Sequence, residues 1–445
     1  MKDAEAASPD ARRIDLAYGQ GQLPFSLPPG ARELSIREPL IRVSKQRFLR
    51  GLDTLLPPAP LSGPIAVVLA DKTRRCGYEY GIPWLLEGLA ARGADPGQVS
   101  FYIAYGTHQR QSEAECVQTY GRCYHLHRFV HHDCSDPASL ASLGTTRRGT
   151  ELTLHHELLT AGLIISFGAV SHHYFAGYGG GRKLLFPGLG GRRAIYQNHS
   201  LFLDAERRQL ARGCNPGRLS DNPLAADLAE IHALLPSYRS IHALLNSRGE
   251  VADHFFGSGY GDFLRVCDLV DHHFKAADPQ QYDLVLASAG GTPKDINLIQ
   301  SHKAIHNSAA FVKDGGSLVM VAQCADQLGS TTFLPYFTMG GWKGAFDHLC
   351  HDYAGNGGTA LALMAKTRRI KIYLVSDLDQ AHCAACGLSP LSPEQSQTLI
   401  DGSEPNHSMA VIPCASLLVH PHGHTAESVD TDCSRQARTV PQRVS

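Results

Sequence analysis

Seven short, almost wholly apolar runs recur along the chain and limit the folds that it can adopt. They lie at residues 65–70, 99–105, 163–167, 284–287, 317–322, 370–375 and 409–412. Uninterrupted runs of this length are typical of strands that are buried on both faces of a parallel sheet. The sequence therefore predicts an α/β fold with mainly parallel sheets flanked by helices.

Helical patterns separate the apolar runs and support this fold class. Leu85, Leu86 and Leu89 form an apolar face, Pro83 is expected in the first helical turn, and Gly93 is expected to end the helix. A chain of 445 residues is too long for one core, because domains commonly hold about 150 residues. We therefore expect two α/β domains with the functional cleft between them.

The boundary between the two domains is expected near residue 275. A polar stretch at residues 272–282 precedes a new predicted strand and a glycine-rich turn. Residues 1–275 would then form the first domain and residues 276–425 the second. Residues 426–445 show no periodic pattern and are expected to form a disordered tail.

The charge balance argues against two classes of function. The sequence holds 41 Lys and Arg against 42 Asp and Glu, so no strong field would attract nucleic acid or a membrane surface. The longest apolar run, at residues 161–170, is too short to span a bilayer, and the first residues lack the apolar core of a signal peptide. We expect a cytoplasmic protein that binds neither nucleic acid nor membrane.

The cysteines and the C-terminal histidines carry weaker signals. The 12 cysteines show no disulfide framework and are expected to be free thiols. Cys383 and Cys386 have the spacing of half a zinc or redox site, but no second pair lies near them in the sequence. His420, His422 and His424 alternate without neighbours that would orient them around a metal, so a loop is expected there.

Polar side chains follow three of the predicted strands of the first domain. Asp71 and Arg74 follow the first strand, His108 follows the second, and a segment containing His173 follows the third. Ligands bind beyond the carboxyl ends of the strands in open parallel sheets, so these loops should converge. Asp71 alone would be explained as a helix N-cap, and His108 alone as a loop residue before a helix start at Ser112. Because the three coincide, we expect a ligand site.

A glycine-rich segment lies just beyond His173. Residues 176–191 hold seven glycines, which would let backbone N–H groups approach an anion such as phosphate. The segment is not a Walker loop, because Leu184 follows Lys183 where a Ser or Thr would hold magnesium. No helical pattern opens at Gly181, so it does not match a dinucleotide fingerprint either. We expect a cradle for a nucleotide phosphate.

Two predicted helices carry further candidate ligands. Ile195 and His199 are four residues apart and share one face of a short helix. Gln300 and Lys303 are three residues apart on a helix that is expected to start near Asp295. An amide and an ammonium group in this arrangement would suit a carboxylate, although an exposed helix pair would give the same spacing.

Five motifs in this order resemble the lactate racemase family, whose members use a nickel-pincer nucleotide. They are DKTR at residues 71–74, GTH at 106–108, HYFAGYGGGRK at 173–183, NH at 198–199 and GGTPKDINLIQSHK at 290–303. The resemblance is weaker beyond residue 310. It implies an isomerase, a racemase or epimerase of 2-hydroxy acids, that inverts the α-carbon by proton-coupled hydride transfer to and from the cofactor's pyridinium ring.

The resemblance assigns the cofactor to the first domain. Lys183 would hold the nickel-pincer nucleotide covalently, and Gly179, Gly180 and Gly181 would line it. His199 would be the single protein ligand to a square-planar Ni(II), because the organic ligand supplies the other three donors. Loading would need the proteins that synthesise the cofactor.

The same resemblance assigns the catalytic groups. His108 and His173 would be the two general acid/bases, one on each face of the substrate, because an imidazole exchanges protons near neutral pH. Arg74 would bind the substrate and polarise the oxygen that becomes a carbonyl, with Asp71 orienting nearby groups. The partner of these residues would be a small 2-hydroxy carboxylic acid.

From the second domain, Gln300 and Lys303 would hold the substrate carboxylate. Ile299 precedes Gln300 at a position where lactate racemases carry an aromatic residue, so the pocket wall differs and the particular hydroxy acid stays open. His172 adjoins His173, and the ten-residue spacing to Lys183 selects His173 for the family role.

Two other functions stay open at this point. A zinc hydrolase would use His108, His173 and His199 as direct metal ligands with water as the fourth. It would leave Lys183 and the glycine-rich segment without a role. A non-catalytic carrier of the nickel cofactor would need Lys183 and His199, but neither opposed acid/bases nor a carboxylate clamp.

Overall fold

Strands and helices alternate along most of the chain in the computed structural model, which describes residues 12–57, 60–403 and 406–423. The described strands are β1 (Arg12–Tyr18), β2 (Gly21–Leu27), β3 (Arg32–Glu33), β4 (Ile65–Ala70), β5 (Val99–Ala104), β6 (Arg128–His131), β7 (Leu140–Thr145), β8 (Glu151–His155), β9 (Leu163–Ala169), β10 (Ser171–His173), β11 (Gly177–Gly179), β12 (Leu203–Asp204), β13 (Gln209–Leu210), β14 (Arg239–Leu245), β15 (Val251–Gly257), β16 (Tyr282–Ser288), β17 (Val312–Val321), β18 (Lys371–Val375), β19 (Ser389–Pro390) and β20 (Met409–Ile412).

The described α-helices are α1 (Lys45–Leu55), α2 (Tyr78–Ala91), α3 (Glu113–Tyr120), α4 (Cys123–Leu126), α5 (Arg182–Leu185), α6 (Arg192–Ser200), α7 (Pro223–Leu234), α8 (Tyr260–Phe274), α9 (Leu298–Ala309), α10 (Gly341–His351), α11 (Gly357–Arg369), α12 (Gln380–Ala385) and α13 (Pro393–Asp401). The seven apolar runs coincide with β4, β5, β9, β16, β17, β18 and β20. The predicted α/β class is confirmed. The predicted tail and His424 lie outside the described residues.

The first six-stranded sheet has the order β15-β14-β9-β4-β5-β6. Its strands run parallel except that β15 is antiparallel to β14. Leu69 near the end of β4 pairs with Ile103 on one side and with Phe167 on the other. Because these three strands end level, the loops that follow them leave the same edge of the sheet.

The second six-stranded sheet has the order β19-β18-β17-β16-β20-β3 and is parallel throughout. Its edge strand β3 comes from the start of the chain, and the β1-β2 hairpin packs Leu16, Phe25 and Leu27 into the core of this sheet. Residues 12–33 therefore pack with the second sheet, although the sequence places residues 1–275 in the first domain. The division at residue 275 otherwise stays a prediction.

Helix α2 begins at Tyr78, five residues before Pro83, which was expected in its first turn. Gly77 is its N-cap, and Pro83 lies inside the helix, so the prediction that Pro83 sits in the first turn is wrong. The Tyr78 hydroxyl accepts a hydrogen bond from the Ala70 N–H at 2.8 Å and donates one to the Phe167 carbonyl at 2.8 Å. These tertiary hydrogen bonds fix the additional turn.

The minor cysteine and histidine signals have structural explanations. The described cysteines are free, as predicted. Cys383 and Cys386 are buried in and just after α12, and burial raises the pKa of both thiols. His420 is buried with its Nε2 atom 2.9 Å from the Pro279 carbonyl oxygen. Among the described helices, none has the length and apolar character needed to cross a membrane.

Asp295 ties the amino-terminal hairpin to the second sheet. Its side chain is fully buried, and Oδ2 accepts hydrogen bonds from the Gly19 N–H at 2.7 Å and the Gln323 N–H at 3.2 Å. The expected helix start at Asp295 is therefore wrong, since α9 begins at Leu298 after the N-cap Asn297. Asp295 anchors distant backbone instead.

Replacing Asp295 by alanine would leave the buried Gly19 N–H and the partly buried Gln323 N–H without an acceptor. Because each such group costs about 1–3 kcal/mol, Asp295→Ala should lower the melting temperature by roughly 4–12 °C in scanning calorimetry. Asp314→Ala is the matched control, since its side chain is 84% exposed, and should shift the melting temperature by no more than about 2 °C. Equal shifts in the two variants would contradict the anchoring role.

Candidate active site

The loops after β4 and β5 bring an acid and a histidine into contact. Asp71 caps the 3₁₀ turn Lys72–Arg74 by accepting a hydrogen bond from the Thr73 N–H at 2.9 Å. Its second oxygen lies 2.6 Å from His108 Nδ1. Burial alone would raise the pKa of Asp71, but the hydrogen bond and charge of His108, together with Arg74, hold it well below its usual range. The charged carboxylate therefore orients the His108 ring, and Nε2 is the atom left for proton exchange.

His173 ends β10, the first strand of a short hairpin with β11. Its Nδ1 atom accepts a hydrogen bond from the Ala176 N–H at 3.2 Å, so the neutral ring carries its proton on Nε2. Withdrawal of the ring from water lowers the pKa of His173 well below its usual range. Four nearby basic groups act in the same direction: Lys183, Arg74, His199 and Lys303. The His173 ring therefore lies near residues of four of the five motifs.

Lys183 follows the glycine-rich turn of this hairpin. Gly180 and Gly181 have φ of +81° and +54°, and the one-turn helix α5 opens directly after them, although the sequence shows no helical pattern there. Burial lowers the pKa of Lys183 well below its usual range, and the charges of Arg74 and Arg182 add to this effect. The site therefore favours the uncharged, nucleophilic amine.

His199 lies on α6, four residues after Ile195 as predicted. Its ring packs edge-on against Phe175, with the ring centroids 5.2 Å apart. Burial lowers the pKa of His199 to about 3, and the charges of Lys183 and His108 act in the same direction. An imidazole that stays unprotonated at neutral pH keeps a nitrogen lone pair available to a metal.

Helix α9 brings the predicted pair Gln300 and Lys303 from the second sheet. Lys303 Nζ donates a hydrogen bond to Gln300 Oε1 at 2.8 Å, and both residues are partly buried rather than an exposed helix pair. Burial and the charge of Arg74 lower the pKa of Lys303 to about 8, while Asp71 acts in the opposite direction. The ammonium form still dominates at neutral pH. Lys303 thus faces the loops of the first sheet.

The assembled site is cationic and does not favour the zinc alternative. Arg74 and Lys303 both lie close enough to the Asp71 carboxylate to interact with its charge, and Lys183 lies near Arg74, an arrangement that suits anionic ligands. Among the described residues, no three His, Cys, Asp or Glu side chains are grouped so that they could hold a metal ion. A zinc centre made only of protein ligands would need such a group.

Sequence reasoning missed several residues that support the site. Asp227 is fully buried and accepts a hydrogen bond from Asn198 Nδ2 at 2.8 Å, which fixes α6 next to His199. His172 Nε2 lies 2.8 Å from Asp271 Oδ1, a contact that ties the hairpin to α8. Tyr174 also contacts the second sheet's helices. No local pattern reports these contacts, because their partners lie 29 to 185 residues away.

Together, the fold and the site define a class: an α/β protein with two mainly parallel sheets, whose loops and helices bring histidines and a buried lysine together with Gln300 and Lys303. The family model described as the lactate racemase N-terminal domain matches residues 59–211, and the model of the C-terminal domain matches residues 277–345. The chain belongs to the lactate racemase family. This confirms the resemblance carried by the five motifs.

Relatives and solved structures agree with this membership. The lactate racemase of Thermoanaerobacterium thermosaccharolyticum is 26% identical over 337 residues, covering 73% of this chain and 77% of that protein. The lactate racemase of Lactiplantibacillus plantarum is 26% identical over 271 residues, covering 60% and 62%. These relatives support a racemase function.

Two solved structures share the fold. The lactate racemase apoprotein from T. thermosaccharolyticum superposes with a TM-score of 0.82 at 22% identity, covering 92% of this chain and all of that one. A protein from Thermotoga maritima gives a TM-score of 0.67 at 15% identity, covering 86% and 99%. The likeness extends over nearly the whole chain, including both sheets.

The turn before Lys183 requires glycine at position 180 but not at position 179. A Cβ atom on Gly180 would lie 2.2 Å from the Ala169 carbonyl oxygen at a positive φ, whereas one on Gly179 would meet nothing closer than Ser171 Oγ at 3.8 Å. Gly180→Ala should therefore lower the melting temperature by roughly 2–12 °C. Gly179→Ala should leave it within about 2 °C. Equal calorimetric shifts would contradict a packing role for Gly180.

Proposed function

We propose that the chain is a racemase of 2-hydroxy acids that inverts the α-carbon by proton-coupled hydride transfer with a nickel-pincer nucleotide. The observation that carries the proposal is the convergence of His108, His173 and Lys183 from one sheet with Lys303 from the other. Two acid/bases are what inversion requires, because each enantiomer presents its hydroxyl proton on a different face. Family membership supports the same reaction class.

The residues present fit this cofactor. A lysine whose pKa is lowered suits covalent attachment, because the neutral amine is the nucleophile, and burial with the charges of Arg74 and Arg182 lowers the pKa of Lys183 well below its usual range. The unprotonated ring of His199 suits Ni(II), for which imidazole is a favourable ligand. Gly179, Gly180 and Gly181 would line the nucleotide. When bound, the group supplies a pyridinium ring that takes up the hydride of the α-carbon and returns it.

His108 and His173, whose rings are both held in a fixed orientation, would exchange protons with the substrate. The Asp71 carboxylate holds the Nδ1 proton of His108, and the Ala176 N–H occupies Nδ1 of His173. The free Nε2 of His108 can therefore accept the substrate hydroxyl proton. The neutral ring of His173 carries its proton on Nε2, so His173 would first donate a hydrogen bond to the substrate oxygen. It would accept a proton at Nε2 only after its own proton moves to Nδ1 and displaces the Ala176 N–H. Burial lowers the pKa of His173, and the neighbouring basic groups act in the same direction, which favours the neutral ring.

The side chains of Lys303, Gln300 and Arg74 would bind the substrate. Lys303 and Gln300 would hold the carboxylate, and Arg74 would polarise the hydroxyl oxygen as it becomes a carbonyl. The keto acid would then rotate within the site before hydride returns to its other face. Ile299 would form part of the substrate-pocket wall next to Gln300. Experiment must decide which hydroxy acid, sugar acids included, is the substrate. We place the enzyme in the cytoplasm with the cofactor-synthesis proteins.

Expression with the cofactor-synthesis proteins and nickel tests this function directly. We expect an intact-mass adduct in the wild-type protein that Lys183→Ala lacks, together with interconversion of the enantiomers of one acid in a chiral assay of a 2-hydroxy acid panel. A fully active protein without an adduct would contradict the role of Lys183. An adduct without inversion of any acid would support the carrier alternative instead.

The two histidines make separable predictions. His108→Ala and His173→Ala should each lower the rate of inversion by about 10²- to 10⁴-fold, as is typical for the loss of a general acid/base. Each variant should still react once with one enantiomer, visible as a change in cofactor absorbance.

Nickel content separates these roles from metal binding. It should survive in His108→Ala and His173→Ala but be lost in His199→Ala, as measured by elemental analysis. His125→Ala, at an exposed histidine, is the control and should keep both nickel and activity. If the first two variants release nickel as readily as His199→Ala, the assignment of roles is wrong.

A further inference from the structure

Tyr174 connects the His173 hairpin to the helices of the second sheet. Its ring stacks on that of His173, with centroids 5.3 Å apart and the planes inclined by 10°. Its hydroxyl forms a 2.7 Å hydrogen bond with Oγ1 of Thr359, a buried residue on α11. One side chain of the first unit therefore reaches into the second.

The same ring also contacts the helix that carries the carboxylate clamp. Tyr174 packs edge-on against His302 and His306 of α9, with both centroid distances 5.6 Å. His302 is buried and directly precedes Lys303 in the chain. Any displacement of α9 relative to the His173 hairpin would have to break these ring contacts or the hydrogen bond to Thr359.

We propose that Tyr174 is a positioning residue that holds the His173 ring at a fixed place relative to Gln300 and Lys303. The inference rests on the proposed function, in which α9 fixes the substrate carboxylate and His173 exchanges its hydroxyl proton. These two contacts come from different sheets, and a displacement of about 1 Å between reacting groups can cost 10²-fold in rate. The contacts of Tyr174 join the two sheets next to His173. They therefore restrict how far the His173 ring can move relative to Gln300 and Lys303.

The hydroxyl of Tyr174 acts as a neutral hydrogen-bonding group. Burial raises its pKa to about 12, so the group keeps its proton throughout the neutral range. Tyr174→Phe removes the hydrogen bond to Thr359 while keeping the stacked ring. It should therefore change rate without moving the midpoints of the pH profile, which belong to the histidines and Lys303.

A double-mutant cycle on the nickel-loaded enzyme tests the proposal. Tyr174→Phe and Thr359→Val should each lower kcat about 3- to 10-fold, with a smaller change in KM, since both remove one buried hydrogen bond. The double variant should be no slower than the slower single variant. Tyr336→Phe is the matched control: it removes an equivalent 2.7 Å hydrogen bond, to the Ala354 carbonyl, that does not join the two units, and should keep kcat within twofold.

Hydrogen exchange of the loaded protein without substrate gives a readout that does not depend on activity. Tyr174→Phe should increase deuterium uptake in both the β10-β11 hairpin and α11, whose Thr359 loses its partner, and Tyr336→Phe should not increase it in the hairpin. A kcat within twofold of wild type, additive effects in the double variant, or uptake unchanged in the hairpin and α11 would each overturn the proposal. If wild-type enzyme inverts no acid, the proposed function fails, and the exchange result alone decides whether Tyr174 couples the two units.

Discussion

The level ends of β4, β5 and β9 are the constraint on which the site depends. Their register places Leu69 beside Ile103 and Phe167, so the three following loops start from one edge. The 2.6 Å contact between Asp71 and His108 follows directly from that alignment. Because side chains alternate between the two faces of a sheet, slipping one of these strands by a single residue would move every following side chain to the other face.

Burial and positive charge act together on the basic groups at this edge. Burial lowers the pKa of both Lys183 and Lys303, and the charge of Arg74 lowers them further. Burial likewise lowers the pKa of His199 to about 3, so its ring is neutral, the form that binds metals. Lys303 keeps its charge at neutral pH. An anionic ligand would relieve the remaining excess of positive charge, so the site is electrostatically complete only when one is bound.

The sequence predicts the inner strands well because burial on both faces leaves a continuous apolar run. It does not predict β14 and β15, in which buried His242 and His254 interrupt that pattern. The place of the amino-terminal hairpin also escapes local reasoning, since the Gly19 N–H bonds to Asp295 across 276 residues. The site residues are predictable as a set because each follows a recognisable strand or lies on a short helix. Their supporting partners, such as Asp227, are distant in the chain and carry no pattern.

The glycines of the glycine-rich segment have a structural role that does not depend on a ligand. Its glycine density suggests room for a phosphate, yet Cβ atoms on Gly177, Gly180 and Gly188 would lie within 2.4 Å of carbonyl oxygens of the protein itself. At these positions the backbone packs against protein, and glycine is needed whether or not a ligand is near. The argument for a ligand therefore depends on Lys183, which the turn holds near the ring of His173, rather than on the glycines.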